Sequence, residues 1–102
     1  MAIWNRLREE LNRAGRVAQG ALDEGKLRLD LHRARQQTDR FAQRFGYAVH
    51  RARQGGSDLT PEEYAAHASN IVAAEADVAR YETLIEEAGK RRKQSDLPPG
   101  TT

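Results

Sequence analysis

The sequence predicts an all-α protein: an antiparallel helical hairpin of the coiled-coil type with an N-terminal amphipathic helix before it, three helices in total. Three observations predict it. Apolar residues recur at alternating steps of three and four along two long stretches, a glycine pair separates those stretches, and strand-type alternation and β-branched residues are scarce.

The first expected helix covers residues 1–20. Ile3, Leu7, Leu11, Ala14, Ala18 and Ala21 form one stripe, whose phase slips near Gly20–Gly25. Gly15, Gly20 and Gly25 each weaken a helix by about 1 kcal/mol relative to Ala, so a kink or break is expected between 20 and 26, with a continuous helix from 2 to 53 as the alternative. The hairpin is expected over 26–92, with its turn at 54–60, and a disordered tail over 93–102, where Pro98-Pro99-Gly100 cannot continue a helix.

The turn is the clearest local signal. Gly55-Gly56-Ser57-Asp58 stops one helix, and Leu59-Thr60-Pro61-Glu62-Glu63-Tyr64 starts the next. Thr60 is placed as N-cap, Pro61 at the first helical position and Glu63 where it closes a capping box. Leu59 and Tyr64 have the spacing of a hydrophobic staple.

On either side of that turn lie two heptad seams. One is Leu27, Leu31, Ala34, Thr38, Phe41, Phe45, Ala48 and Ala52; the other is Tyr64, His67, Ile71, Ala74, Val78, Tyr81, Ile85 and Ala88. Antiparallel pairing opposes residues whose numbers add to 115 or 116, and five of the eight layers then set a large side chain against Ala. Leu31, Phe41, Phe45, Ile71, Val78, Tyr81 and Ile85 are the expected hairpin core. Charge favours the same pairing: residues 21–53 carry eight Lys/Arg and four Asp/Glu, whereas 61–88 carry Arg80 and seven acids.

Composition narrows the function classes. The 102 residues are 38% hydrophobic and 31% charged, with no Cys, which fits one small domain with a thin core. There is no thiolate nucleophile, disulfide or Cys-based metal site. Glu63 and His67 lie one helical turn apart, but the seam places His67 inside the hairpin, and His32 and His50 lie on other faces. Ser57 and Ser69 have no His/Asp partnership, and Gly55-Gly56 lacks the Lys of a phosphate loop. No enzymatic activity, cofactor or small-molecule substrate is expected. The apolar runs are too short for a membrane-spanning helix, and the Met1-Ala2-Ile3-Trp4 opening runs straight into charge, so the expected compartment is the cytoplasm or the surface of a membrane.

Interaction surfaces carry the functional expectation. Ile3, Trp4, Leu7 and Leu11 form an apolar stripe flanked by Arg6, Arg8, Arg13 and Arg16, suited to a protein partner or, as the alternative, to a lipid surface. The second stretch is rich in arginine (Arg28, Arg33, Arg35, Arg40, Arg44, Arg51 and Arg53), a pattern that can line nucleic-acid phosphates. Asp30 and Asp39 interrupt it and the chain's net charge is only +2, so pairing with the acidic helix is the favoured reading. A hairpin alone buries little, and Ala65, Ala68, Val72, Ala76 and Ala79 give the third stretch a second apolar face. Self-association or docking on a larger complex is therefore expected.

The stretch Glu24-Gly25-Lys26-Leu27-Arg28-Leu29-Asp30-Leu31, followed by Phe45-Gly46-Tyr47-Ala48-Val49 and Gly55-Gly56, resembles a group of small bacterial helical-hairpin proteins. The resemblance covers about residues 20–90 and implies a coiled-coil hairpin fold with no assigned activity. Some members of that group carry a Cys-based zinc ribbon, which this chain lacks. The opening residues are also loosely similar to the membrane-binding start of the phage-shock protein A family, whose hairpin is much longer.

Overall fold

Residues 2–95 are described by the computed structural model, and they form two helices and no strand: α1, Ala2–Gln54, and α2, Pro61–Ser95. The two run antiparallel as a hairpin, 82 × 26 × 15 Å overall. At about 1.5 Å per residue, α1 alone accounts for the long dimension.

The expected break between 20 and 26 is absent. α1 runs unbroken for 53 residues, so the first and second expected helices are one, and the hairpin has two helices instead of three. The three glycines are five residues apart and no proline or turn cluster accompanies them, so each peptide unit keeps its helical bond at a cost of about 1 kcal/mol per glycine. Gln19 Nε2 donates to Asp23 Oδ1 at 3.1 Å across Gly20. Among the described residues, and apart from each glycine's own chain neighbours and the backbone of its own helix, nothing comes within 4 Å of where a Cβ would stand on Gly15, Gly20 or Gly25. Residues 93–95, expected in the tail, continue α2; the rest of the expected tail, 96–102, lies outside the described residues.

The reversal is built from local hydrogen bonds. The N–H of Ser57 donates to the Ala52 carbonyl at 3.0 Å and that of Gly56 to the Arg53 carbonyl at 3.0 Å, the paired closure of a Schellman motif. Gly56 takes the left-handed conformation this closure requires, with φ +80°. Ser57 Oγ adds a second donor to the Ala52 carbonyl at 3.2 Å. α2 then opens with a capping box. Thr60 Oγ1 accepts the Glu63 N–H at 3.1 Å, and Glu63 Oε1 accepts the Thr60 N–H at 3.4 Å. Glu62 and Glu63 sit on the positive end of the α2 dipole, and Arg92 and Lys93 on its negative end.

Along the two helices, each residue of both heptad seams is half-buried or buried, and the rest of the surface is largely open. Burial is deepest at two alanines, Ala74 (4% exposed) and Ala34 (9%). Thr38, the polar member of the α1 side of the seam, satisfies its hydroxyl by donating to the Ala34 carbonyl at 3.0 Å. Cross-helix ion pairs show the register. Arg92 Nη1 donates to Glu24 Oε2 at 2.8 Å and Arg35 Nη2 to Glu82 Oε1 at 3.5 Å, pairs whose numbers add to 116 and 117.

Gly56→Ala forces an L-residue into the left-handed region and is expected to lower unfolding stability by about 1–2 kcal/mol in a denaturant titration. Gly20→Ala places a methyl in open space on an exposed helix, and is expected to raise the far-ultraviolet helical signal and stabilise the helix by up to about 1 kcal/mol.

Candidate interaction surface

Among the described residues no side chain is fully buried. A two-helix seam leaves no third layer, and the grooves beside it are shallow and open, one lined by Tyr47, Arg51, Leu59 and Glu63 and another by Thr38, Asp39, Glu75 and Val78. Among the described residues no group of three or more His, Asp or Glu side chains stands close enough to hold a metal ion. Among the same residues no helix is long and apolar enough to cross a membrane.

Next to the turn the two helices are joined by rings. Phe45 of α1 stacks on His67 at 5.3 Å between centroids, with the planes 4° apart, and meets Tyr64 edge-on at 5.7 Å. By number Phe45 opposes Ile71, so its ring reaches toward α2 residues nearer the turn. Ala48 and Ala52, small residues in the neighbouring layers, leave the room. His67 is thus half-buried as a stacking surface for Phe45.

Tyr64 also closes the turn. Its hydroxyl donates to Asp58 Oδ1 at 2.7 Å, and the same oxygen accepts the Leu59 N–H at 2.8 Å. The Tyr64 bond, then the Leu59 bond and the nearby Arg53 charge, hold the Asp58 carboxyl below the usual carboxylate range. The hydrogen bond to Asp58 in turn raises the Tyr64 hydroxyl above its ordinary value, with partial desolvation adding to it.

Several arginines are occupied along the hairpin. Arg35 pairs with Glu82, Arg44 lies 5.6 Å from the centre of the Phe41 ring, and Arg51 lies 4.9 Å from that of Tyr47. On α2, Arg80 bridges Asp77 and covers Tyr81 at 4.9 Å.

The remaining expected contact residues stand apart from all of this. α2 ends beside the start of the paired region, where Arg92 reaches Glu24, and every described residue before Asp23, and Asp23 itself, is exposed. Ile3 (80% exposed), Trp4, Leu7 and Leu11 therefore project on a helical arm about 30 Å long with no neighbouring element among the described residues. The arm does not fold back on the hairpin, and the second apolar face of α2 around Val72 is uncovered as well. Leu31, Phe41, Phe45, Ile71, Val78, Tyr81 and Ile85 are all half-buried in the seam. Two further exposed apolar residues of the arm, Val17 and Leu22, escaped the stripe read from the sequence. Their helical positions beside Ala14, Ala18 and Ala21 were the available signal.

No protein-family model matches this chain, no curated protein is significantly similar to it, and no solved structure matches it significantly.

The Asp58–Tyr64 bond predicts a two-sided pH dependence. A lowered Asp58 carboxyl contributes stability that is present above the unfolded value and lost as pH falls through the folded one. A raised Tyr64 hydroxyl contributes stability that is present below the unfolded value and lost as pH rises through the folded one. Wild type is therefore expected to exceed Tyr64→Phe in stability between about pH 4 and pH 10, with the gap closing at both edges when denaturation midpoints are compared.

Proposed function

We propose that this chain is a non-enzymatic interaction protein: a rigid helical hairpin that presents the N-terminal part of α1 as a binding arm. The observation that carries this reading is the length mismatch between the helices. α1 has 53 residues and α2 has 35, so the first third of α1 stands as an isolated amphipathic helix with its large apolar side chains in solvent. An isolated helix of this length is marginal in water, and contact with a partner stabilises both the helix and its exposed stripe. The open grooves beside the seam suit a spacer or docking element better than a catalyst.

A lipid surface is the second reading, because Arg6, Arg8, Arg13 and Arg16 flank a stripe that contains Trp4. Ala14, Ala18 and Ala21 make that stripe shallow and Glu9 and Glu10 dilute its charge, so protein contact is preferred. Binding of nucleic acid has the least support: of the arginines on α1, Arg35 is turned to the acidic helix and Arg44 and Arg51 lie over rings.

Trp4 is the chain's one tryptophan, so its fluorescence reads the arm directly. In the dilute chain Trp4 is expected to be fully accessible to acrylamide. Whenever the chain associates, with its own kind or with another protein, the emission is expected to shift to the blue and quenching to fall. Association that leaves Trp4 emission unchanged places the contact elsewhere and overturns the reading. Blue-shifted emission only on anionic vesicles, abolished in Trp4→Glu, replaces it with the lipid reading.

A further inference from the structure

The arm is a heptad seam in its own right. Trp4, Leu7, Leu11, Ala14, Ala18 and Ala21 are separated by three, four, three, four and three residues. From Ala21 to Leu27, where the seam facing α2 begins, the step is six residues instead of seven. One residue is about 100° of helix rotation, so the arm's stripe points away from the line that α2 covers. A longer α2 running on in the same line would still leave it open.

We propose that the arm's occupant is the arm of a second copy of this chain, packed antiparallel about a two-fold axis between Asn12 and Arg13. This rests on the reading of the arm as a contact surface and names its partner. The evidence is self-complementarity. When residues whose numbers add to 25 are opposed, Trp4 faces Ala21, Leu7 faces Ala18 and Leu11 faces Ala14, and the same three layers repeat across the axis. Each layer sets one large side chain against one alanine, the alternation that fills most layers of the α1–α2 seam. The parallel alternative stacks Trp4, Leu7 and Leu11 on themselves and leaves three successive layers of alanine against alanine, which do not fill space.

The ends also fit. In this register the second copy's arm finishes beside Ala21, within a turn of where Arg92 of α2 reaches Glu24 and on a face rotated by about 100° from it, so the two partners of α1 follow one another along the helix. Both hairpins then lie at opposite ends of one rod, two helices thick throughout. At the flanks Glu10 lies beside Val17 of the other copy and Arg8 beside Gly15, so no like charges meet, and Arg6, Glu9, Arg13 and Arg16 face outward. Ile3, Val17 and Leu22, all exposed in the single chain, border the same contact. The interface is short, so association in the micromolar range is expected.

The test uses the full chain in sedimentation and small-angle X-ray scattering up to roughly 100 μM. The expected result is a dimer about 130 Å long, from two arms overlapped over their seam. Leu7→Glu and, independently, Ala18→Glu are expected to weaken association at least about tenfold, with hairpin helicity retained. The chain has no cysteine, so Leu7→Cys and Ala18→Cys chains can be mixed and oxidised to read orientation. Disulfides between the two different chains support the antiparallel register. Disulfides only within Leu7→Cys or only within Ala18→Cys overturn it. A chain that stays monomeric over the whole range overturns the second copy as occupant and leaves the arm available to another protein or, if it then floats with anionic vesicles, to lipid. A dimer about 80 Å long and indifferent to both glutamate variants is a hairpin-on-hairpin bundle, and overturns this inference together with the reading of the arm.

Discussion

The hairpin is held by a single seam between α1 and α2, one side chain deep, in which large residues of one helix rest on small residues of the other. Ala34 and Ala74 are the most deeply buried positions, and this is a consequence of that alternation: alanines let the backbones approach, and the neighbouring Phe41, Tyr81 and Val78 fill the space beside them. Such a seam withdraws little apolar surface from water. It therefore has to be aligned correctly along its whole length, and the alignment is set at the turn. A one-residue change in the connection would move α2 by about 1.5 Å along its axis and about 100° around it, and take each layer out of register.

Local chemistry secures that alignment independently at both ends. Near the turn, Gly56, the capping box of Thr60 and Glu63 and the Asp58–Tyr64 bond determine where one helix stops and the other starts. The Phe45 ring, held between His67 and Tyr64, then ties the helices together just beyond it. At the far end Arg92 reaches Glu24, whose side chain is only 12% exposed, so this pair is better shielded from solvent than the Arg35–Glu82 pair. Order is thus reinforced where α2 begins and where it ends. The arm before Glu24 is supported among the described residues by helix propensity and local bonds such as Gln19–Asp23, and its helicity is coupled to whatever covers Trp4, Leu7 and Leu11.

Much of this was legible in the residues because it depends on near neighbours. Thr60-Pro61-Glu62-Glu63 starts a helix and Gly55-Gly56 ends one through bonds that span five residues or fewer. Heptad spacing marks the face each helix turns inward. The slip of phase between Ala21 and Leu27 was visible too, but its consequence was not. A slip of one residue is compatible with a broken helix, or with an unbroken one whose two stripes point in different directions. Phe45 illustrates the same limit at the level of a side chain: counting opposes it to Ile71, whereas its ring reaches His67 and Tyr64 across the space left by Ala48 and Ala52.

By itself the sequence determined an all-helical hairpin, the position of its reversal and the residues of its seam, since caps, left-handed glycine and a repeat of three and four act over a turn or two of backbone. Only the tertiary structure decided that residues 2–54 are one helix and that α2 stops short of its first third. The physical reason is that helix continuity across Gly15, Gly20 and Gly25 is a balance of small, distributed terms, with about 1 kcal/mol against each glycine and no competing turn to take its place. Which apolar face then lacks a neighbour depends on where the other helix lies, and no local pattern specifies that.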